Sequence, residues 1–135
     1  MTFGSRFAGL SDPRAGGMPA YRYYGNRITT IIQNVLLGTR FSELHSGLRA
    51  YTTSFLESVE HGGFGDGFEF DTDMMIAAIA SGYRVIEVPI ATRYTVESSS
   101  IAVGPSVRYV IHAIWSSAVA RVRFGGRKAR RRSEK

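Results

Sequence analysis

The stretch Phe68–Met74, FEFDTDM, sets Glu69, Asp71 and Asp73 two residues apart, between aromatic rings and ahead of an apolar run, MIAAIA. Carboxylates are costly beside an apolar core unless a partner or a reaction uses them. Three uses fit the residue types. Asp71 or Thr72 can cap a helix, with Asp73 in its first turn at the positive end of the helix dipole. A pair two residues apart can hold a metal. A carboxylate at a helix start beside a glycine-rich loop can also act as a general base, taking the proton of an attacking hydroxyl.

Other residues with chemistry fall into three groups. Arg6, in GSRF, has the planar fork that donates two parallel hydrogen bonds to phosphate. HSGLRAY gathers His45, Ser46, Gly47 and Arg49: a hydroxyl and a guanidinium that suit phosphate or sugar, and a glycine that lets a ligand approach the backbone. His45 is the right residue type for a base near neutral pH, but no partner for it is visible, and a structural hydrogen bond is the simpler use. Arg93, with Ser98, Ser99 and Ser100, follows the clearest strand and suits phosphate equally well as a solvated loop. The histidines at 45, 61 and 112 show no ligand spacing.

The elements that must position these groups can be read from pattern. Residues 1–20 hold four Gly and two Pro and read as loop after an apolar start that resembles a strand entered partway. Ile28, Ile31, Ile32, Val35 and Leu36 make a helical stripe, capped at Asn26 or starting near Pro19 and ending at Gly38. Leu48–Tyr51 suits a short strand, and 53–59 a short helix capped by Thr52 or Thr53. A helix over 71–80 buries Met74, Met75, Ala78 and Ile79, and Gly82 ends it. YRVIEVPI reads as a strand at or near a sheet edge because of Pro89. A long amphipathic helix starts near Pro105, and its stripe runs from Val107 through Trp115 to Val122. Such a stripe most simply packs on the sheet.

The totals describe one modest globular domain: 135 residues, 44% hydrophobic and 21% charged. With no cysteine, disulfides and thiolate metal sites are excluded. No apolar run approaches the roughly 20 residues needed to cross a bilayer, and the N-terminus lacks signal-peptide character. A cytoplasmic location is therefore expected. The net charge of +6 comes from the end of the chain: residues 121–135 hold eight of 17 Lys and Arg and one of 11 acids. The first 120 residues balance nine basic against ten acidic side chains, a net of −1. This divides the chain into a domain at 1–122 and a basic, disordered tail at 123–135.

Seven segments in order carry a family resemblance: GSRF, the glycine pair at 16–17, PAYRYYGNRITTIIQNVLLG, ELHSGLRAY, FEFDTDM, GYRVIEVPIATRY and ESSSI. Together they resemble the C-terminal half of family 2 glycosyltransferases, in the branch of dolichyl-phosphate mannose synthase-like and polyprenyl-phosphate transferases. The resemblance covers about residues 3–110. It implies an α/β fold, the acceptor half of a GT-A Rossmann-like domain, with an incomplete sheet and an amphipathic C-terminal helix. It implies transfer of a hexose, with inversion, from a nucleotide-sugar to a lipid phosphate. Asp71 and Asp73 become the catalytic candidates; where the family commonly has Glu at the second position, this chain has Asp. Arg6, Ser46, Arg49, Arg93 and Ser99 become the donor- and phosphate-binding candidates. A divalent metal, Mg2+ or Mn2+, is implied, with ligands mostly outside this chain, because the donor-side DxD motif is absent.

The acceptor decides what the acids do. A hydroxyl acceptor needs a base; a phosphate is already anionic and needs positioning and charge neutralisation. A second reading is a non-catalytic module that meets an anionic membrane or a partner through its C-terminal helix and tail, at the inner face of the membrane. Nucleic acid is the weaker partner, because basicity outside the tail forms no face with interleaved aromatics.

Overall fold

A computed structural model describes residues 1–9, 12–59, 63–94 and 103–133, with side chains given for 104–123 in the last of these. Three strands and four helices occur among the described residues, in the order β1 Thr2–Ser5, α1 Ala20–Leu37, β2 Arg49–Ala50, α2 Thr53–Ser58, α3 Glu69–Ala80, β3 Ile86–Pro89 and α4 Val103–Ser133. The architecture is mixed α/β with a small sheet in the order β2-β1-β3. β1 is central, antiparallel to β2 and parallel to β3, with Thr2 opposite Ile86 and Ser5 opposite Pro89. Pro89 therefore closes an outer strand, where its missing N–H costs the ladder least.

The core lies on one side of this sheet. Phe3 of β1 and Met74, Met75 and Ala78 of α3 pack with Met1, Leu44 and Phe55. Phe55 is completely buried and sits between Tyr51, stacked at 5.7 Å, and Tyr83, edge-on at 5.0 Å. Thr52 caps α2, its side chain accepting the Phe55 amide. α3 starts two residues earlier than its pattern suggests, at Glu69. Its N-cap is Phe68, with no side-chain cap, so neither Asp71 nor Thr72 caps it. Its burial also differs from the expected stripe: Thr72 and Ile76 join Met74, Met75 and Ala78, while Ile79 is only partly covered. α3 is enclosed on more than one side, by the core and by α4, and one stripe no longer describes it.

α1 starts at Ala20, after Pro19, so Asn26 lies inside the helix and is not its cap. Its orientation overturns the expected packing. The residues it buries are Thr29, Thr30 and Gln33, while Ile28, Ile31, Ile32 and Val35 are exposed. α4 behaves the same way: Ala113, Ser117 and Ala120 are buried and Val107, Ile111, Trp115 and Val122 are exposed. The two helices meet through a polar, small-residue seam. Gln33 Nε2 donates to Ser117 Oγ at 3.1 Å and to the Ala113 carbonyl at 3.4 Å. Ser117 Oγ donates to the Ala113 carbonyl at 2.7 Å, and Arg121 reaches the Val35 carbonyl at 3.0 Å. Neither helix contributes to the core cluster, which β1, α2, α3 and their loops already fill. The α4 backbone is also helical across the 122/123 boundary where the sequence suggests a disordered tail.

The two kinds of apolar residue should respond differently to truncation. Phe55→Ala should lower unfolding free energy by about 3–5 kcal/mol, through lost burial and the cavity left behind. Ile31→Ala, on the outward stripe, should change it by no more than about 0.5 kcal/mol. Urea unfolding followed by circular dichroism measures both. A multi-kilocalorie loss at Ile31 would mean that the stripe faces inward.

Candidate functional site

Parallel strands β1 and β3 end side by side, at Ser5 and Pro89. The segments leaving them carry Arg6 and Tyr94, and Arg6 Nη1 donates to the Tyr94 hydroxyl at 2.6 Å. Ligand sites of α/β sheets gather at such carboxyl ends. A third segment, Ser42–Arg49, crosses this end and is tied down on both sides. The Glu87 carboxylate on β3 accepts the amides of Ser42 and Glu43 and the Ser42 hydroxyl, at 2.6–3.1 Å. Ser5 and Ser42 hydroxyls meet at 2.7 Å.

Arg6 makes the forked contact expected of it, but to a protein carboxylate. Its amide and Nε donate to Glu43 Oε2 at 2.8 and 3.1 Å, and Nη2 donates to Glu43 Oε1. Glu43 is fully buried. Burial disfavours the guanidinium charge, yet the Glu43 hydrogen bonds and charge outweigh it and raise the Arg6 pKa further above its ordinary value. Most of the Arg6 donor set is therefore spent inside the protein.

Arg49 is committed in the same way. Its side chain is 2% exposed. Nε donates to the Ser46 carbonyl at 3.1 Å, Nη2 to the Leu44 carbonyl at 3.1 Å, and Nη1 to the Asp71 carbonyl. Nε also lies 3.6 Å from Asp71 Oδ1. Arg49 thus fastens the 44–46 segment to the first turn of α3. In this structure its donors turn to protein carbonyls and away from solvent. Ser46 is buried too, its hydroxyl accepting the Leu48 amide at 3.3 Å. Arg93 is exposed, and no polar contact ties it to other described residues. Ser99, with Ser98 and Ser100, lies outside the described residues.

The three acids of FEFDTDM separate by partner. Glu69 folds back under the glycine-rich loop; a Cβ on Gly65 would fall 2.8 Å from Glu69 Cβ, and one on Gly67 2.7 Å from Glu69 Oε2. Glycine is what allows that approach. Glu69 Oε1 also faces Arg108 of α4 at 3.6 Å. Asp73 accepts the Gly65 amide at 3.2 Å through Oδ2, and its Oδ1 lies 2.9 Å from His112 Nε2 on α4. Both oxygens are occupied and the side chain is 12% exposed. Asp71 is different. Its side chain is 38% exposed, one oxygen leans on Arg49, and the other faces the space over Gly47. Asp71 is therefore the acid a ligand can reach, and Asp73 braces the loop against α4.

His45 lies among these groups. Its Nδ1 is 3.0 Å from the Tyr109 hydroxyl, which is 3.0 Å from Thr72 Oγ1. Its Nε2 is buried without a partner. Burial, then the charges of Arg6 and Arg49, lower its pKa from 6.5 to about 4. His45 is neutral at pH 7 and a weak base, which favours its structural use. Burial also raises the Tyr109 pKa, so that hydroxyl stays protonated and can donate to one neighbour while accepting from the other. Glu43, Glu87, Tyr94 and Tyr109 were not singled out from sequence. For Glu43 a signal existed, an acid between the apolar Phe41 and Leu44 in a segment without a helical face.

Among the described residues no three His, Asp or Glu side chains gather where a metal ion could be held. Asp71 and Asp73, which have the spacing of a metal pair, turn to different partners. A shallow groove at the end of α1, formed by Ile31, Asn34, Val35, Thr39, Arg40 and Phe41, includes none of the site residues.

Comparison with known proteins finds similarity to a curated protein. The chain resembles part of a hexosyltransferase. It is 33% identical over 91 residues to the low-salt glycan biosynthesis hexosyltransferase Agl6 of Haloferax volcanii. The matched region is 67% of this chain and 21% of that protein, so the chain spans about a fifth of its relative. No family model matches, and no solved structure does. The similarity supports the class glycosyltransferase.

Two variants test the internal network. Glu43→Gln leaves the Arg6 charge buried and poorly paired, and should cost about 3–5 kcal/mol in urea unfolding at pH 7. For His45 the folded pKa lies below the unfolded one, so the unfolded chain binds the proton first as pH falls. Its contribution is complete above about pH 6.5 and is lost between there and about pH 4, by about 3 kcal/mol in all. The difference in stability between pH 7 and pH 4.5 should therefore shrink in His45→Gln; an unchanged pH dependence would show that His45 does not carry it.

Proposed function

We propose that this chain is the acceptor-side part of an inverting family 2 glycosyltransferase of GT-A type. The reaction is transfer of a hexose from a nucleotide-sugar to a polyprenyl or dolichyl phosphate. The observation that carries this reading is the 33% identity to a hexosyltransferase over two-thirds of the chain. The arrangement at the carboxyl ends of β1 and β3 is compatible with it. Asp71 stands partly open to solvent, anchored by Arg49, beside exposed Gly47.

In this reading Asp71 is the residue that meets the acceptor. Toward a hydroxyl it acts as the base that removes the proton. Toward a phosphate it orients a cation, because the nucleophile is already ionised. Arg93, exposed beside Tyr94, is the available guanidinium for an anionic group. Arg6, Arg49, Ser46 and Asp73 position the site from within. A divalent metal would supply charge neutralisation for the leaving diphosphate, and its ligands would lie largely outside this chain.

Transfer of labelled hexose to a short polyprenyl phosphate tests the reading, with a panel of nucleotide-hexoses and Mg2+ or Mn2+. The chain is assayed alone and mixed with the part of Agl6 that lies outside the matched region. Transfer is expected in the mixture and should fall roughly 10²-fold or more with Asp71→Asn. Full activity of Asp71→Asn would remove Asp71 from the mechanism. Absence of transfer across the panel, with both components folded, would overturn the assignment.

A further inference from the structure

The two longest helices turn their polar and small residues onto each other and their apolar residues outward. On α4 the outward residues Val107, Ile111, Trp115 and Val122 recur every fourth or seventh position, opposite buried Ala113, Ser117 and Ala120. In an isolated soluble protein this places apolar area where water must cover it. A continuous apolar stripe of this kind marks an interaction surface.

Charge narrows the choice of partner. The 31 residues of α4 hold eight Arg and Lys and no Asp or Glu. Arg108 is among the most exposed side chains, and Arg121 and Arg123 are also exposed. An acid-free helix with a Trp-bearing apolar stripe flanked by cations is complementary to an anionic bilayer surface. A second copy of the same face fits worse, because its stripe is likewise flanked by Arg108, Arg121 and Arg123, with no acid on the helix to pair them. Among the described residues no helix is long and apolar enough to cross a membrane, so contact would be made along the helix.

We infer that the outer face of α4 lies in the plane of an anionic lipid surface, with Val107, Ile111 and Trp115 in the acyl boundary, Arg123 among the headgroups and Arg108 at the edge, where it also faces Glu69. The sequence suggests that a helix and tail could meet a membrane; the structure adds that, among the described residues, the body packs against other faces of α4 and leaves the apolar stripe uncovered. This inference is independent of the reaction proposed above, since it concerns binding and needs no transfer.

Trp115 is the only tryptophan and is 69% exposed, so its fluorescence reports the contact directly. Vesicles of phosphatidylcholine with phosphatidylglycerol should shift its emission to the blue, and brominated acyl chains should quench it. Phosphatidylcholine alone should do neither. Ile111→Asp should weaken partitioning tenfold or more, and Arg123→Gln about fivefold. Both positions are exposed, and far-ultraviolet circular dichroism checks that the variants remain folded. Emission unchanged by anionic vesicles would overturn the inference. So would a blue shift that appears without lipid as a dimer forms in sedimentation, or binding lost with Ile31→Asp on α1 but kept with Ile111→Asp.

Discussion

The ion pair between Arg6 and buried Glu43 is the constraint on which the rest of this structure depends. Arg6 is where the chain leaves β1, and Glu43 lies in the segment that follows α1, 37 residues later. Taking a carboxylate wholly out of water is expensive, and geometry alone makes it tolerable. Here the carboxylate meets a fork of donors and an additional amide, while the Tyr94 hydroxyl accepts from the same arginine. Glu87 holds the other side of the segment by accepting two amides and a hydroxyl. The 42–49 segment therefore has little freedom, and the residues at its far end inherit that placement. Arg49 then transfers it to α3 by binding the Asp71 carbonyl as well as its carboxylate.

This order of dependence explains how the acids of FEFDTDM come to differ. They share a helix turn and a residue type, yet each is assigned by what lies opposite: Arg108 and two glycines for Glu69, Arg49 for Asp71, His112 and a backbone amide for Asp73. Only the middle one keeps appreciable contact with solvent. A cluster that looks like one site in sequence is thus one accessible group between two structural ones.

Legibility followed the range of the interactions. Local signals were readable: Thr52 as the cap of the short helix that follows it, Gly38 as a stop and Pro89 on an outer strand. Residue types that suit phosphate picked out residues that the fold brings together: Arg6 binds the segment that carries Ser46 and Arg49, and Arg49 reaches Asp71. Their contacts were not readable, because Arg6 meets Glu43, 37 residues on, and Arg49 reaches Asp71, 22 residues on. The outward turn of α1 and α4 was also hidden. An amphipathic stripe reveals which side of a helix is apolar but not what lies against it, and here Gln33 and Ser117 won the inside position through hydrogen bonds and close packing.

α4 has two working faces. One holds Tyr109 against Thr72 and His112 against Asp73, and the other carries Trp115. The backbone hydrogen bonds of a helix make it one continuous rod. Tyr109, His112 and Trp115 therefore move together, and a push on the outer side at Trp115 reaches Thr72 and Asp73 with no loop between to absorb it.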